Sequence, residues 1–445
     1  MDALAPIRRV GFRIEWRGGS CGKEGHRRRK ARSAGLTAIP VAAFVFAACG
    51  AIAEQFPGAA PIAQGHPNLP NGYELAAHFV CGAGPNNVEG NGAVITLTRG
   101  AQRALPSDAA PMTGEAYDAD RVEFAISGLD PAVEYAIGFA WWDRDRAGRK
   151  QSVEFGAGAP AAWNVVLPPT VPLAFHGDQP TFARIQLPVP PKTDRLSVAF
   201  AKSSGPGVVV NELWVLRKTG TQPRKRVVIV TGDDWTGHSW RATGPELAGI
   251  LREDPRLEVW IVESPAIFAS PLLDRFDAAV IHFKDYAERL PLGGDVWDGL
   301  DRYAATGHGL VIAHFGCGAF QEWPGYVNVA GRVWDPKKRG HDPYGPFRVR
   351  VTDGAHPVSQ GMADFDTGDE LYTCLFGDPK IRVLYTATSR VDKQDYPMGF
   401  VVEETGGRIF HSSLGHDAAS LRHPGTRDLY RRAAAWAAGL APGAK

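Results

Sequence analysis

Cysteine is scarce in this chain. The 445 residues include five, and two of these, Cys21 and Cys49, fall within the first 53 positions. The remainder has Cys81, Cys317 and Cys374, an odd number, widely spaced, with no C-x-x-C pair. That excludes a disulfide framework and argues against a structural zinc site built from cysteine. An excess of charge of one sign is also missing. The formal net charge is +1, so nothing global points to nucleic acid. Amphipathic helical periodicity is lacking from about residue 72 to 218, which excludes a helical N-terminal half.

Much of the positive charge gathers at the N-terminus. The basic segment GHRRRKARSAG precedes LTAIPVAAFVFAACGAIA, which is apolar from Leu36 to Ala53. A charged region, an apolar region and a small-residue site make a secretory signal. Pro40 and the many small residues make it a poor permanent membrane span. Two processing sites compete. AIAEQ offers cleavage after Ala53, whereas FAAC resembles a bacterial lipobox with Cys49 as the lipidated residue. The expectation is an exported protein, periplasmic or extracellular. It would touch a membrane only through that lipid anchor.

Two textures follow the leader (1–53) and a linker (54–71). From 72 to 218, runs such as AVITLTRG, RVEFAISGL, EYAIGFAWWD and LSVAFAKSSG are rich in Val, Ile, Phe and Tyr and are divided by Gly, Pro and Asp turns. This predicts an antiparallel β-sandwich. Its ending, SGPGVVVNELWVLRK, is similar to the last strand of galactose-binding jelly rolls. Trp141, Trp142 and Trp163 could stack on sugar rings, but a structural or docking role is the expectation. After a linker at 219–225 the pattern changes. VVIVTGDD, LEVWIVESP, FDAAVIHF and GLVIAHF read as buried strands, and TGPELAGILRED, DVWDGLDRYAATG and TRDLYRRAAAWAAGL as helices. In the first helix Thr243 and Glu246 fit a capping box, with Pro245 in the opening turn. Alternating βα units imply an α/β parallel sheet covered on both sides, with ligands at the carboxyl ends of its strands.

Polar residues collect at those ends. Asp233, Asp234 and His238 follow the first strand. His282 and Lys284 follow the third. His314 follows GLVIA, and His416 and Asp417 follow RIFHSSL. His341, His356, Asp369 and Glu370 lie between the last two. His282 and His356 are expected to be structural. His314, which would be costly to bury unpaired, is expected to be functional, as are His238 and Glu370.

At this point the residues resemble a family. GDDWTGHSW, FDAAVIHF, GHGLVIAHFGCGAF, HPVSQGM, DELYT, PMGFVVEETGGRIFHSSLGHD and AAAWAAGL, in this order across 226–440, resemble the ThuA-like (trehalose-utilisation) family. The resemblance implies a flavodoxin-like, class I glutamine amidotransferase-like fold and a role in catabolism of trehalose, sucrose and related glycosides, for some members through 3-keto sugars. Amidotransferases of this fold place a nucleophilic Cys at the turn after the strand, with a His and an acid after a later one. Here His314 takes the thiol's place, and His416 and Asp417 fall where the His and acid would sit. Imidazole cannot replace a thiolate in glutamine hydrolysis, so amidotransferase activity is not expected. Cys317 is expected to be a small buried hydrophobe.

Two chemistries fit His314, His416 and an acid. They can hold a divalent ion such as Zn²⁺, or they can act directly as general acid and base. The reading is an exported protein acting on a sugar or 3-keto-glycoside by isomerase or hydrolytic chemistry. The alternative is a non-catalytic glycan-binding protein on the same scaffold. The catalytic set is His314, His416, Glu370 and Asp417, with His314, His416 and Glu370 as metal ligands. Trp235, His238, Trp240, His341 and Tyr372 are expected around the sugar, and Trp323 is a further stacking candidate. The partner is a small carbohydrate. The sequence leaves the oligomeric state open.

Overall fold

The computed structural model describes residues 68–443 except 83–87, 90–91, 107–111, 158–161, 173–174, 177–178, 181–182, 191, 223, 286–289, 291 and 404. The leader with both its processing sites lies outside the described residues.

The N-terminal half builds two five-stranded antiparallel sheets. One runs in the order Ala183–Pro188, Tyr135–Trp141, Glu212–Lys218, Tyr73–Val80, Val88–Glu89. The other runs Val94–Arg99, Arg121–Ser127, Leu196–Ser204, Lys150–Ala157, Ala162–Thr170. Strand RVEFAIS shows why they face each other: Val122, Phe124 and Ile126 are buried, while Arg121, Glu123 and Ala125 alternate with them. Between the sheets, Phe79, Phe124, Phe139, Trp141 and Phe200 meet edge to face, with ring centroids 5.0 to 6.2 Å apart. Trp141 and Trp142 are both buried, and the Arg121 guanidinium covers Trp163 at 4.3 Å. Trp141 and Trp142 offer no face to a sugar, and Trp163, partly buried, has one face taken by Arg121.

The C-terminal half is a nine-stranded sheet. Its strands are β1 (Lys225–Val230), β2 (Leu257–Val262), β3 (Ala278–Ile281), β4 (Gly309–Ala313), β5 (Gly345–Val351), β6 (Phe365–Asp369), β7 (Ile381–Thr388), β8 (Asp395–Val402) and β9 (Ile409–Ser412). The order is β2-β1-β3-β4-β9-β8-β7-β5-β6. The first five pair in parallel, which is the flavodoxin-like arrangement with its switch point between β1 and β3. The last four continue it antiparallel, because the short connection from Val402 to Ile409 admits only a hairpin. Helices α1 (Trp240–Leu251), α2 (Gly294–Ala305), α3 (Ala418–Arg422) and α4 (Pro424–Ala437) cover the faces. The expected capping box does not form. Helix α1 starts four residues earlier, after Ser239, so Pro245 lies inside it and Thr243 Oγ1 donates back to the Ser239 carbonyl. Burial of Trp240, Thr243, Leu247, Ala248 and Leu251 along one face outweighs the lost N–H.

The two halves share a core. One apolar cluster runs from the sandwich into β2, β3, α2 and the segment after β2. Polar ties reinforce it. The Arg184 N–H donates to Glu263 Oε2 at 2.7 Å, and Asn68 Nδ2 to Glu263 Oε1 at 3.1 Å. Lys218 and Arg226 both pair with the fully buried Glu258. The sandwich thus clamps the outer edge of the parallel sheet.

One buried histidine makes this fold sensitive to acid. His411 on β9 donates from Nδ1 to the Ala330 carbonyl at 2.9 Å, packs on Phe400, and has no partner at Nε2. Burial, aided by Arg332, pushes its pKa down to about 4. The unfolded chain therefore binds a proton that the folded chain refuses. Stability is complete above about pH 6.5 and is lost as pH falls towards 4, by roughly 3 kcal/mol from this group. Urea unfolding of His411→Asn, which keeps a donor for Ala330, should show a shallower loss between pH 7 and 4. Equal slopes in the two proteins would refute the assignment.

Candidate functional site

Four strand ends deliver the site. The loop after β1 carries Asp234 and His238. His314 follows β4, Glu370 follows β6, and His416 follows β9. At β4 the chain turns at once into a short 3-10 segment, and His314 takes φ +47°. A non-glycine residue in this region stores strain, of order 1–3 kcal/mol, and such strain clusters at functional positions. Gly316 makes the turn possible, since a Cβ there would stand 2.5 Å from the Ile281 carbonyl. Gly415, at φ +106°, turns the chain just before His416. Asp369 pins the same loop. Its carboxylate accepts from the backbone N–H of Gly415 at 2.7 Å, His416 at 3.2 Å and Glu370 at 2.8 Å. Burial nevertheless raises its pKa to about 7.

One ligand atom from each of His238, His314, Glu370 and His416 lies within 4.8 Å of the others. Two of the histidines have their tautomers fixed from behind. His238 Nδ1 donates to Asp234 Oδ1 at 3.1 Å, and His314 Nδ1 donates to the Ser413 carbonyl at 2.8 Å. Both Nε2 atoms are then lone-pair acceptors, and they face each other at 3.3 Å. Tyr372 OH donates to His314 Nε2 at 2.9 Å. His416 Nδ1 stands 3.2 Å from Glu370 Oε2 without the alignment of a hydrogen bond. Burial first, then His238 and His416, hold His314 well below its ordinary pKa, so it stays neutral. Burial opposes charge on Glu370 too, but His416, His341 and His238 hold its carboxyl below the usual range. Burial would lower His416, and the Glu370 carboxylate more than offsets that. Neutral imidazoles oriented by outer hydrogen bonds, with a carboxylate beside them, are the donor set of a divalent metal centre.

The cluster opens onto a cavity of about 410 Å³. Trp235, half exposed, lines it with Lys284, Phe315, Trp334, His341 and Tyr372. His341 is held beside Tyr372 by an isolated bridge. Its Nδ1 donates to the Asp342 carbonyl at 2.7 Å, and its Nε2 stands 3.4 Å from Glu370 Oε1.

The sequence reading and the structure differ at two residues. His238, expected against the sugar, lines the cavity and also stands among the metal-ligand candidates. Trp240, expected to stack on sugar, is 4% exposed at the start of α1 under the Arg241 guanidinium. Asp417 caps α3, accepting from Ser420 N at 2.7 Å and Ser420 Oγ at 2.9 Å, and it does not line the cavity. Missed in the sequence were Asp234 and Asp369 as orienting groups and Lys284 in the cavity wall, although each follows a strand or a histidine loop. His282 hydrogen-bonds Thr231 and is driven by burial to a pKa of about 4, and His356 Nδ1 accepts the Val358 N–H in a turn. Cys317 is fully buried, which pushes its thiol up.

Residues 226–437 match the family model for ThuA, described as trehalose utilisation. Solved structures similar to this chain include a ThuA-like protein from Parabacteroides merdae, 23% identical, TM-score 0.43, covering 50% of this chain and 93% of that one. A ThuA-like protein from Bacteroides uniformis is 17% identical, TM-score 0.41, covering 49% and 93%. A glutamine amidotransferase from Thermotoga maritima is 12% identical, TM-score 0.28, covering 43% and 76%. No curated protein matches the chain.

Protein stripped with chelator and titrated with Zn²⁺ should bind it stoichiometrically. Asp234→Asn should weaken the affinity about 10- to 100-fold by releasing the His238 ring. Unchanged affinity in that variant would remove Asp234 from its orienting role.

Proposed function

The α/β domain is ThuA-like, and from that premise we propose that the protein acts on a sugar bearing a carbonyl group, such as a 3-keto-glycoside, by moving a proton at the carbon beside that carbonyl. The carrying observation is the pair of imidazole Nε2 lone pairs facing each other at 3.3 Å, both fixed by hydrogen bonds behind them. With both rings neutral, the Tyr372 hydroxyl satisfies His314 Nε2 and the pair gains when a cation, a metal ion or a proton, lies against both nitrogens. His238, His314 and His416, with Glu370, would hold a divalent ion, which when bound would polarise the substrate carbonyl.

The remaining groups handle the substrate and its proton. His341 Nε2, with its own proton fixed on Nδ1, is free to accept the proton from the carbon beside the carbonyl. Glu370 Oε1, 3.4 Å away, stabilises the imidazolium so formed. Returning the proton to the former carbonyl carbon, while the hydroxyl proton on the first carbon passes to the former carbonyl oxygen, completes an isomerisation. Returning it to a departing oxygen completes an elimination, the first half of a hydrolytic route. Burial keeps the Tyr372 phenol protonated at working pH, so it serves as a donor and not as a base. Trp235 and Trp334 supply apolar faces for the ring. Amidotransferase chemistry is not proposed, since the thiol that follows the turn, Cys317, is buried and protonated. The apolar stretch 36–53 supports placing this chemistry outside the cytoplasm.

The test is turnover of a panel of 3-keto-glycosides and their parent disaccharides. His341→Ala should lower kcat about 10²- to 10⁴-fold with little change in KM. The double change His314→Ala, His416→Ala, or EDTA, should abolish activity. A wild-type protein inert on the whole panel, with sugar affinity surviving the double change, would replace this reading with non-catalytic glycan binding.

A further inference from the structure

A second cavity, of about 510 Å³, adjoins the first. The two share Gln321, Trp334 and Pro336 in their walls. They are therefore neighbouring compartments of one cleft. Trp334 stands at the partition with its ring held edge-on against Phe315 at 5.1 Å and Tyr372 at 5.3 Å. The polar element at the partition is the Lys284 ammonium, which donates to Gln321 Oε1 at 2.6 Å.

The second compartment has the character of a sugar-ring site. Trp323, Tyr326 and Phe376 supply aromatic surface, and Asp335 and Lys337 supply polar groups. Apolar walls with a few placed polar groups mark small-molecule pockets of this size. Exposed aromatics point the same way. Among the described residues four large aromatics are substantially exposed: Tyr117, Trp235, Tyr344 and Phe376. The Arg103 guanidinium covers Tyr117 at 4.7 Å. Two of the others belong to the cleft: Trp235 lines the first compartment and Phe376 the second, while Tyr344 packs on His416 at 5.6 Å outside both linings. Exposed aromatic surface is costly unless a ligand covers it.

We infer that the second compartment is a subsite for a second ring, so that the protein takes a glycoside spanning both compartments, with the bond between its two rings lying over Trp334 and the Lys284–Gln321 pair. This rests on the proposed function only for the ring held beside the histidine cluster. The linking oxygen would then pass over Trp334 and the Lys284–Gln321 pair, and the second ring would lie on Trp323 and Phe376. A free monosaccharide would fill the first compartment alone.

The experiment measures binding, not turnover. Zinc-loaded protein is titrated with 3-keto-glucose and with 3-keto-trehalose. The expected result is at least tenfold tighter binding of the disaccharide. Phe376→Ala should cut that ratio several-fold while leaving 3-keto-glucose affinity unchanged. Lys337→Ala, at an exposed position that folding does not depend on, should act in the same direction. Equal affinity for the two sugars in the wild type, or variants that weaken both sugars alike, would overturn the subsite while leaving the first-compartment reading intact. Failure of both sugars to bind would overturn the proposed function and the subsite with it.

Discussion

The contact on which the C-terminal half turns is the one between His238 and His314. Two imidazoles are set Nε2 to Nε2 at 3.3 Å, and each is held from behind. Asp234 and the Ser413 carbonyl remove the choice of tautomer, and burial removes the choice of charge on His314. What is left is a concentrated pair of lone pairs inside a low-dielectric wall, where a cation gains far more than it would in water. Every other feature of the site can be read as supporting that pair.

The supports come from different levels of the structure. The parallel strands β1 and β4 set the two loops on the same edge. The strained φ at His314 and the side-chain-free Gly316 let β4 break sharply enough to aim the ring. The antiparallel extension contributes Glu370 and, through Asp369, fixes the loop that presents His416. Asp369 accepts three backbone N–H groups while buried, so it acts as a strut and leaves the chemistry to its neighbour. Far from the cavity, the sandwich clamps β2 through Glu263, held by Arg184 N–H, and Glu258, paired with Lys218. That gives the edge of the sheet a rigid neighbour, and rigidity is what holds donor atoms close against their mutual repulsion.

The sequence disclosed the sheet's parallel core well, because β-branched runs with no polar alternation can only be strands covered on both faces. It also disclosed His314, since a histidine directly after such a run has no inexpensive structural explanation. The antiparallel strands were less legible, because their apolar runs do not state which neighbour they pair with. Trp240 and Asp417 misled for a related reason. Both lie next to site residues in the chain, yet a helix start rotates successive side chains by about 100°, so one neighbour faces the cavity and the next faces the core. Asp417 also satisfies the rule for a helix N-cap, and composition alone cannot separate a capping carboxylate from a catalytic one. His238 lines the cavity as expected, and its closeness to His314 as well depends on a loop conformation that no spacing encodes.

The turn after β4 shows how a fold can keep a catalytic geometry while changing its chemistry. An elbow of this kind presents whatever side chain sits at the strained position, with backbone and helix behind it. A thiolate there would make a nucleophile, whose covalent bond to substrate must later be broken. An imidazole with its far nitrogen already bonded presents a lone pair suited to a cation or to one proton, and it forms no acyl intermediate. Cys317, three residues on, cannot recover the lost thiol function, because it is fully buried and lines no part of the cavity beside the histidines, and burial pushes its thiol up. The residue at the tip therefore decides what this scaffold can do, and here the strained turn, Gly316 and the parallel sheet beneath present an imidazole.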